Sequence, residues 1–219
     1  MVNQLKFKGI LIVISSPSGA GKTSLANSIV EENENISFST SVTTRPPRDG
    51  EKNGREYHFV EKDQFNLMIK NKRFIEYAEV FGNYYGTPKD QIEKLLNDGK
   101  DIIFDVDWQG GTKIRNSYLS PLVVSVFILP PSIKTLHERL LNRNKDDDKT
   151  VKLRMKESRS EISHWSEYEY IMINDNFEQV KKNIVKIIEI EKMRRNKLIF
   201  LPDFISKLNN EFEEFISNS

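Results

Sequence analysis

One eight-residue run constrains this chain more than any other: Ser16-Pro17-Ser18-Gly19-Ala20-Gly21-Lys22-Thr23, set just after the apolar run Ile10 to Ile14. Consecutive Ile, Leu and Val bounded by Ser, Pro and Gly read as a strand buried on both faces, which belongs in a parallel sheet. The eight residues fit the phosphate-binding loop pattern of Gly, four residues, Gly, Lys and Ser/Thr, except that Ser16 stands where the first Gly is usual. Gly19 and Gly21 let backbone N–H groups turn inward around phosphate oxygens. The helix expected over Lys22 to Glu32 aims its positive end at the same point. Lys22 is then placed to reach the β- and γ-phosphates of a nucleoside triphosphate, and Thr23 to offer a hydroxyl to Mg²⁺. An ordinary Ser/Gly-rich turn is the plainer alternative, and the strand before and helix after weigh against it.

The rest of the chain continues the alternation. Ile102 to Val106, Val123 to Leu129 and Tyr170 to Ile173 read as further buried strands, and Ile133 to Leu141 and Phe177 to Met193 as helices. Strand, helix, strand in succession predicts an α/β fold of three layers, with helices covering a parallel sheet. Between Ile36 and Val80 the texture changes to short Ser/Thr- and aromatic-rich strands, Ile36 to Val42, Tyr57 to Val60 and Phe74 to Val80, around a helix near Asp63 to Lys70. That pattern predicts a small subdomain, about residues 36–88, inserted into a domain spanning 1–195. Asn142 to Lys149 is charged and aperiodic, so it reads as a surface loop between two helices, the layout of a lid over about 139–155. The extension 196–219 shows three- and four-residue apolar spacing from Phe204 on, which predicts an amphipathic helix docked on the body.

Composition excludes several classes of function. Among 219 residues, 33 Lys and Arg face 32 Asp and Glu, so no overall field draws the chain to nucleic acid or a membrane. There is no cysteine, hence no disulfide, thiolate metal site or cysteine nucleophile. His58, His137 and His164 lack metal-ligand spacing. No apolar stretch approaches a membrane span, and a cytoplasmic protein is the expectation. Oligomeric state is left open by the sequence.

A second cluster suggests what the loop donates to. Arg45 and Arg48 flank Pro46 and Pro47, and proline stiffens both itself and its predecessor, so two guanidinium forks are held ready for a phosphate dianion. Tyr57 follows. Glu76 sits in a strand, with hydroxyls from Tyr85 and Thr87 nearby, a set able to read a base edge. Guanine presents N1–H and N2–H donors to such a carboxylate, whereas adenine presents an acceptor that it would repel. Thr87-Pro88-Lys89-Asp90 also reads as an N-cap and first helical turn. Asp105 ends an apolar strand, where a carboxylate would stand near Mg²⁺, and a period of two places Asp107 on the same face. Arg139 and Arg143 lie one helical turn apart, and Arg154 follows the charged loop.

In this order and spacing the blocks Ser16–Thr23, Ser41–Glu51, Asn53–Phe59, Phe74–Thr87 and Phe104–Gly110 resemble the guanylate kinase family, over roughly Gly9 to Met193. The resemblance implies transfer of a phosphoryl group from ATP to GMP, and also to dGMP, in purine nucleotide metabolism. It implies that Arg45, Arg48, Tyr57 and Tyr85 bind the GMP phosphate and that Ser41, Glu76 and Thr87 read guanine, with Asp105 close by. Ser16 to Thr23 would bind ATP, with Asn174 near the adenine, and Thr23 and Asp105 would serve the metal. Lys22, Arg45, Arg139, Arg143 and Arg154 would neutralise charge during transfer, the last three from the lid. Asn144 stands where a glycine commonly follows the second lid arginine. Two alternatives remain at this stage: a related kinase with another acceptor, and a non-catalytic interaction module of the same fold.

Overall fold

Strand β1 (Leu11–Ser15) lies at the centre of a five-stranded sheet, between β7 (Asp101–Asp105) and β8 (Val123–Leu129). β2 (Ile36–Phe38) pairs outside β7, β9 (Tyr170–Ile173) pairs outside β8, and all four pairings are parallel. The computed structural model describes residues 9–48, 50–55, 57–80, 82–142, 148–198 and 200–217.

The unbroken apolar runs have a simple cause. Side chains alternate between sheet faces, and here both faces are covered. Ile12 and Ile14 pack on one side with Leu25, Ala26 and Ile29 of α1 (Lys22–Glu32) and Ile184 and Ile188 of α7 (Phe177–Lys192). Leu11 and Val13 pack on the other with Ile92 and Leu96 of α3 (Lys89–Asn97) and Ile114 of α4 (Trp108–Arg115).

A second sheet of four strands runs β4 (Tyr57–Phe59), β3 (Ser41–Thr43), β6 (Asn83–Pro88), β5 (Phe74–Val80). β3 and β4 are parallel, and the β3–β6 and β6–β5 pairs are antiparallel. Helix α2 (Lys62–Lys70) covers one face through Phe65, whose ring stacks on Phe74 at 4.6 Å and on Tyr84 at 5.5 Å. The strand expected over 36–42 is therefore two strands, its first half in the large sheet and its second in the small one. The chain changes sheets across Ser39 and Thr40, both buried.

Three more expectations are corrected. The loop expected over 142–149 is shorter, since α5 (Ile133–Asn142) and α6 (Asp148–Ile162) extend into it; residues 143–147 lie outside the described residues. Thr87 does not cap α3: that helix starts after Pro88, and the Thr87 hydroxyl donates to Glu76 instead. The tail does form an amphipathic helix, α8 (Leu201–Ser217), but it is not docked, because no residue of it is buried. Phe204, Phe212 and Ile216 remain 49%, 68% and 62% exposed. Among the described residues no helix is long and apolar enough to cross a membrane.

The small sheet has its own core of Val42, Phe65 and Phe74. Phe65→Ala is expected to cost about 3 kcal/mol. Urea denaturation tests it, and a loss under about 1 kcal/mol would mean that the Phe65 ring is not what holds α2 to the sheet.

Candidate active site

The loop after β1 is shaped by two left-handed glycines, Gly19 at φ 89° and Gly21 at φ 97°. A side chain at Gly21 would also place its Cβ 2.5 Å from Asn174 Nδ2. Ser16 takes no left-handed conformation, Lys72 being the sole non-glycine with positive φ among the described residues. Its buried hydroxyl donates to the Pro17 carbonyl at 2.9 Å, so the first motif position has no need of glycine here. The Ala20 N–H donates to the Pro17 carbonyl at 3.2 Å and closes the turn.

Asp105 stands at the carboxyl end of β7, opposite Ile14 of β1, where ligands of open α/β sheets gather. Its two oxygens divide the loop's working groups. Oδ1 meets Lys22 Nζ at 2.6 Å, and Oδ2 accepts from Thr23 Oγ1 at 2.6 Å. Lys22 also donates to the Val106 carbonyl at 2.8 Å. Asp107 does not extend the strand to share that face. It turns back as the N-cap of α4, accepting from Gly110 N at 2.8 Å.

Three segments support the loop from outside. Asn174, only 4% exposed, donates from Nδ2 to the Ala20 carbonyl at 2.7 Å. Arg139 of α5 donates to the same carbonyl and to that of Asn174, each at 3.3 Å. Glu161 of α6 accepts the Ser18 N–H at 3.0 Å. Burial pushes the Glu161 carboxyl up, while the Ser18 N–H and the Lys22 charge oppose that rise.

The small sheet gathers the other predicted residues on one face. Residues directly opposite in neighbouring strands share a face. Ser41 pairs with Tyr57, Thr43 with Tyr85, and Glu76 with Thr87, so all six lie on the side away from α2. Tyr57 and Tyr85 meet edge to face at 5.9 Å. Burial, and next the charge of Asp105, push the Tyr57 hydroxyl up to about 12, so it stays a hydrogen-bond donor. Arg45 lies over the Tyr57 ring at 5.4 Å and donates to Glu51 at 2.9 Å. Glu51 in turn accepts the Arg48 N–H at 2.7 Å, and the Arg48 side chain is exposed.

Glu76 is 6% exposed and accepts from Thr87 Oγ1 at 2.8 Å. Burial raises its carboxyl from the ordinary 4.5 to about 7, against the lowering effects of the Thr87 bond and the Lys113 charge. Of the three arginines expected in a lid, Arg139 reaches the loop, Arg154 is half-buried on α6, and Arg143 lies outside the described residues.

A phosphate loop on a parallel sheet, facing a small sheet of arginine, tyrosine and carboxylate, defines the fold of a P-loop nucleoside monophosphate kinase. Residues 8–191 match the family model described as Guanylate kinase. The chain belongs to the guanylate kinase family. It is 46% identical over 206 residues to a guanylate kinase of Cereibacter sphaeroides, covering 94% of this chain and 98% of that protein. A guanylate kinase of Rickettsia felis is 47% identical over 188 residues, covering 86% and 97%. The crystal structure of guanylate kinase from Anaplasma phagocytophilum superposes with a TM-score of 0.76 at 35% identity, covering 94% of this chain and 97% of that one.

Sequence reasoning left Glu51 and Glu161 without roles. Glu51 lies three residues beyond Arg48, the reach of a turn, and Glu161 lies two helical turns beyond Arg154. Both spacings are visible in the sequence, but neither separates a site carboxylate from a solvated one.

Because burial holds the folded-state carboxyl of Glu76 above the unfolded value, folding is favoured at low pH and loses that advantage as pH rises through about 7. Glu76→Gln keeps the oxygen that accepts from Thr87 without the titration. Its stability relative to the original chain is expected to grow by about 3 kcal/mol from pH 4.5 to about 8. Urea melts across that range test this, and a gap independent of pH would refute the buried titration.

Proposed function

We propose that this chain phosphorylates GMP to GDP with ATP, and accepts dGMP as well, as a cytoplasmic enzyme of purine nucleotide metabolism. The observation that carries the reading is the shared face of the small sheet, where a buried carboxylate paired with a hydroxyl lies in register with two tyrosines. A guanine base supplies the two donors that Glu76 lacks, with Thr87 and Ser41 completing its edge. Arg45, Arg48, Tyr57 and Tyr85 grip the monophosphate, which takes the place that Glu51 holds beside Arg45.

ATP lies along Ser16 to Thr23. The inward N–H groups and Lys22 neutralise its phosphates, and Asn174 keeps the loop in shape from behind. Arg139, Arg143 and Arg154 bring further positive charge from the lid side as the phosphoryl group moves. No residue serves as a general base, because the acceptor phosphate, with its second ionisation near about 6, is already an anionic nucleophile at neutral pH. Closure of the small sheet and the lid over the reactants keeps water out.

Among the described residues no group of three or more His, Asp or Glu could hold a metal by itself. The hard oxygens of Thr23 and Asp105, 2.6 Å apart, nonetheless fit Mg²⁺, which takes one or two protein ligands and completes its shell with phosphates and water. When bound there it would add positive charge at the β- and γ-phosphates.

ADP release measured with GMP, dGMP, AMP, CMP and UMP offered separately tests the acceptor, and activity confined to a non-guanine nucleotide would overturn it. Lys22→Ala is expected to lower kcat by about a hundredfold or more in a folded protein; undiminished turnover would refute the loop's role. Glu76→Gln is expected to raise the KM for GMP by about tenfold or more and to leave that for ATP within about twofold. Equal effects on both would refute guanine reading by Glu76.

A further inference from the structure

Helix α6 turns one stripe toward the phosphate loop. Val151, Arg154, Ser158 and Glu161 follow one another at steps of three and four residues and so share a face. Val151 and Ser158 are buried, and Arg154 and Glu161 are half-buried. Near its start the helix is held by apolar packing of Val151 with Leu136 and Leu140 of α5. The same two leucines lie 3.1 to 3.2 Å from where a Cβ on Gly19 would be. Toward its end the helix is held by the Glu161 carboxylate, which accepts the Ser18 N–H at 3.0 Å. Between these fastenings stands Arg154. Ser158, one turn beyond it, turns its hydroxyl back to the Arg154 carbonyl at 2.8 Å and so satisfies itself within the helix.

We propose that Glu161 is a positioning residue, whose bond to the loop backbone docks α6 and thereby sets where Arg154 stands during phosphoryl transfer. This rests on the reading of Arg154 as a lid arginine. A bond from a backbone N–H to a carboxylate is charge-assisted and directional. It fixes the helix against a loop that itself holds the reacting phosphates. The turn Ser163–Glu167 that follows α6 is held to α4 by the His164–Trp108 stack at 3.6 Å and the Arg115–Glu167 ion pair at 2.8 Å, so the Glu161 bond is the fastening that ties this end of α6 to the phosphate loop itself. Catalysis by a positioned charge is sensitive to displacements of about 1 Å, so a shift of this end against the loop is costly at Arg154.

The test is steady-state kinetics of Glu161→Ala, Arg154→Ala and the double variant, with thermal melts of each. Glu161→Ala is expected to lower kcat about tenfold with the KM for GMP changed less than about twofold. The double variant is expected to be no slower than Arg154→Ala alone, because both substitutions remove the work of one arginine. Glu161→Gln, whose amide oxygen still accepts the Ser18 N–H, is expected to retain most of kcat. Losses that multiply in the double variant would overturn the coupling while leaving Arg154 in its role. Undiminished kcat in Glu161→Ala, with or without a lower melting temperature, would reduce Glu161 to a structural contact. Undiminished kcat in Arg154→Ala would overturn the lid reading itself and the coupling with it. Should the alanine variant melt below assay temperature, Glu161→Asp, one methylene shorter with its charge kept, carries the same comparison.

Discussion

A loop that directs several N–H groups and an ammonium at one small volume is a concentration of positive potential, and without an anion it would repel itself. Asp105 resolves this. One carboxylate at the end of β7 meets Lys22 with one oxygen and Thr23 with the other, both at 2.6 Å. Its position follows from sheet pairing alone, since the register that sets Ile14 opposite Asp105 brings the carboxylate to the mouth of the loop. The pattern recurs at Arg45, which holds Glu51, and at Ser18, which holds Glu161. Lys22, Arg45 and the Ser18 N–H are each paired with a carboxylate, so on the proposed reading nucleotide binding would be an exchange of partners and not the filling of bare charge.

The small sheet separates structure from chemistry by face. Phe65, Phe74 and Val42 bind α2 on one side, and Glu76, Thr87, Tyr85 and Tyr57 stand on the other. Glu76 bears the strain of that division. Its burial opposes ionisation, yet the ionised form is the one that attracts guanine N–H donors. On the proposed reading, the stability surrendered at this residue would be the counterpart of base recognition, a trade found where sites depart from the most stable choice.

Much of this was legible in the sequence, for physical reasons that differ by region. The runs at 10–14, 102–106 and 123–129 declared buried strands because both faces of the large sheet are covered there, and the structure shifts two of them by one residue; 170–173 is a strand as expected but not a buried one, since it forms the sheet edge and leaves Ile171 and Ile173 exposed. The phosphate loop was legible because positive φ and close approach leave few residue choices at Gly19 and Gly21. Where signals competed, tertiary contacts decided. Thr87 carried both a cap pattern and a base-reading pattern, and it does not cap because the helix begins only at Lys89, after Pro88, while its hydroxyl donates to the buried Glu76. Asp107 followed the strand period but lay past the strand's end, where capping prevailed. The α8 stripe announced an amphipathic helix correctly, but periodicity carries no information on what, if anything, lies against it. Glu161 illustrates the general limit: its partner is a backbone N–H 143 residues away, and backbone groups leave no trace in a side-chain pattern.

One irregularity in the small sheet governs how its sequence can change. Between Phe74 and Glu76 the register of β5 against β6 slips by one residue. That extra residue lets Phe74 face α2 while Glu76, two positions later, faces the open side. Without the slip, period-two alternation would send both to the same side. The strand can therefore absorb many substitutions, but gaining or losing one residue near Ile75 would exchange its two faces, turning the Glu76 carboxylate toward the helix and the Tyr77 ring toward the open side. Length, more than identity, is the inflexible property of this stretch.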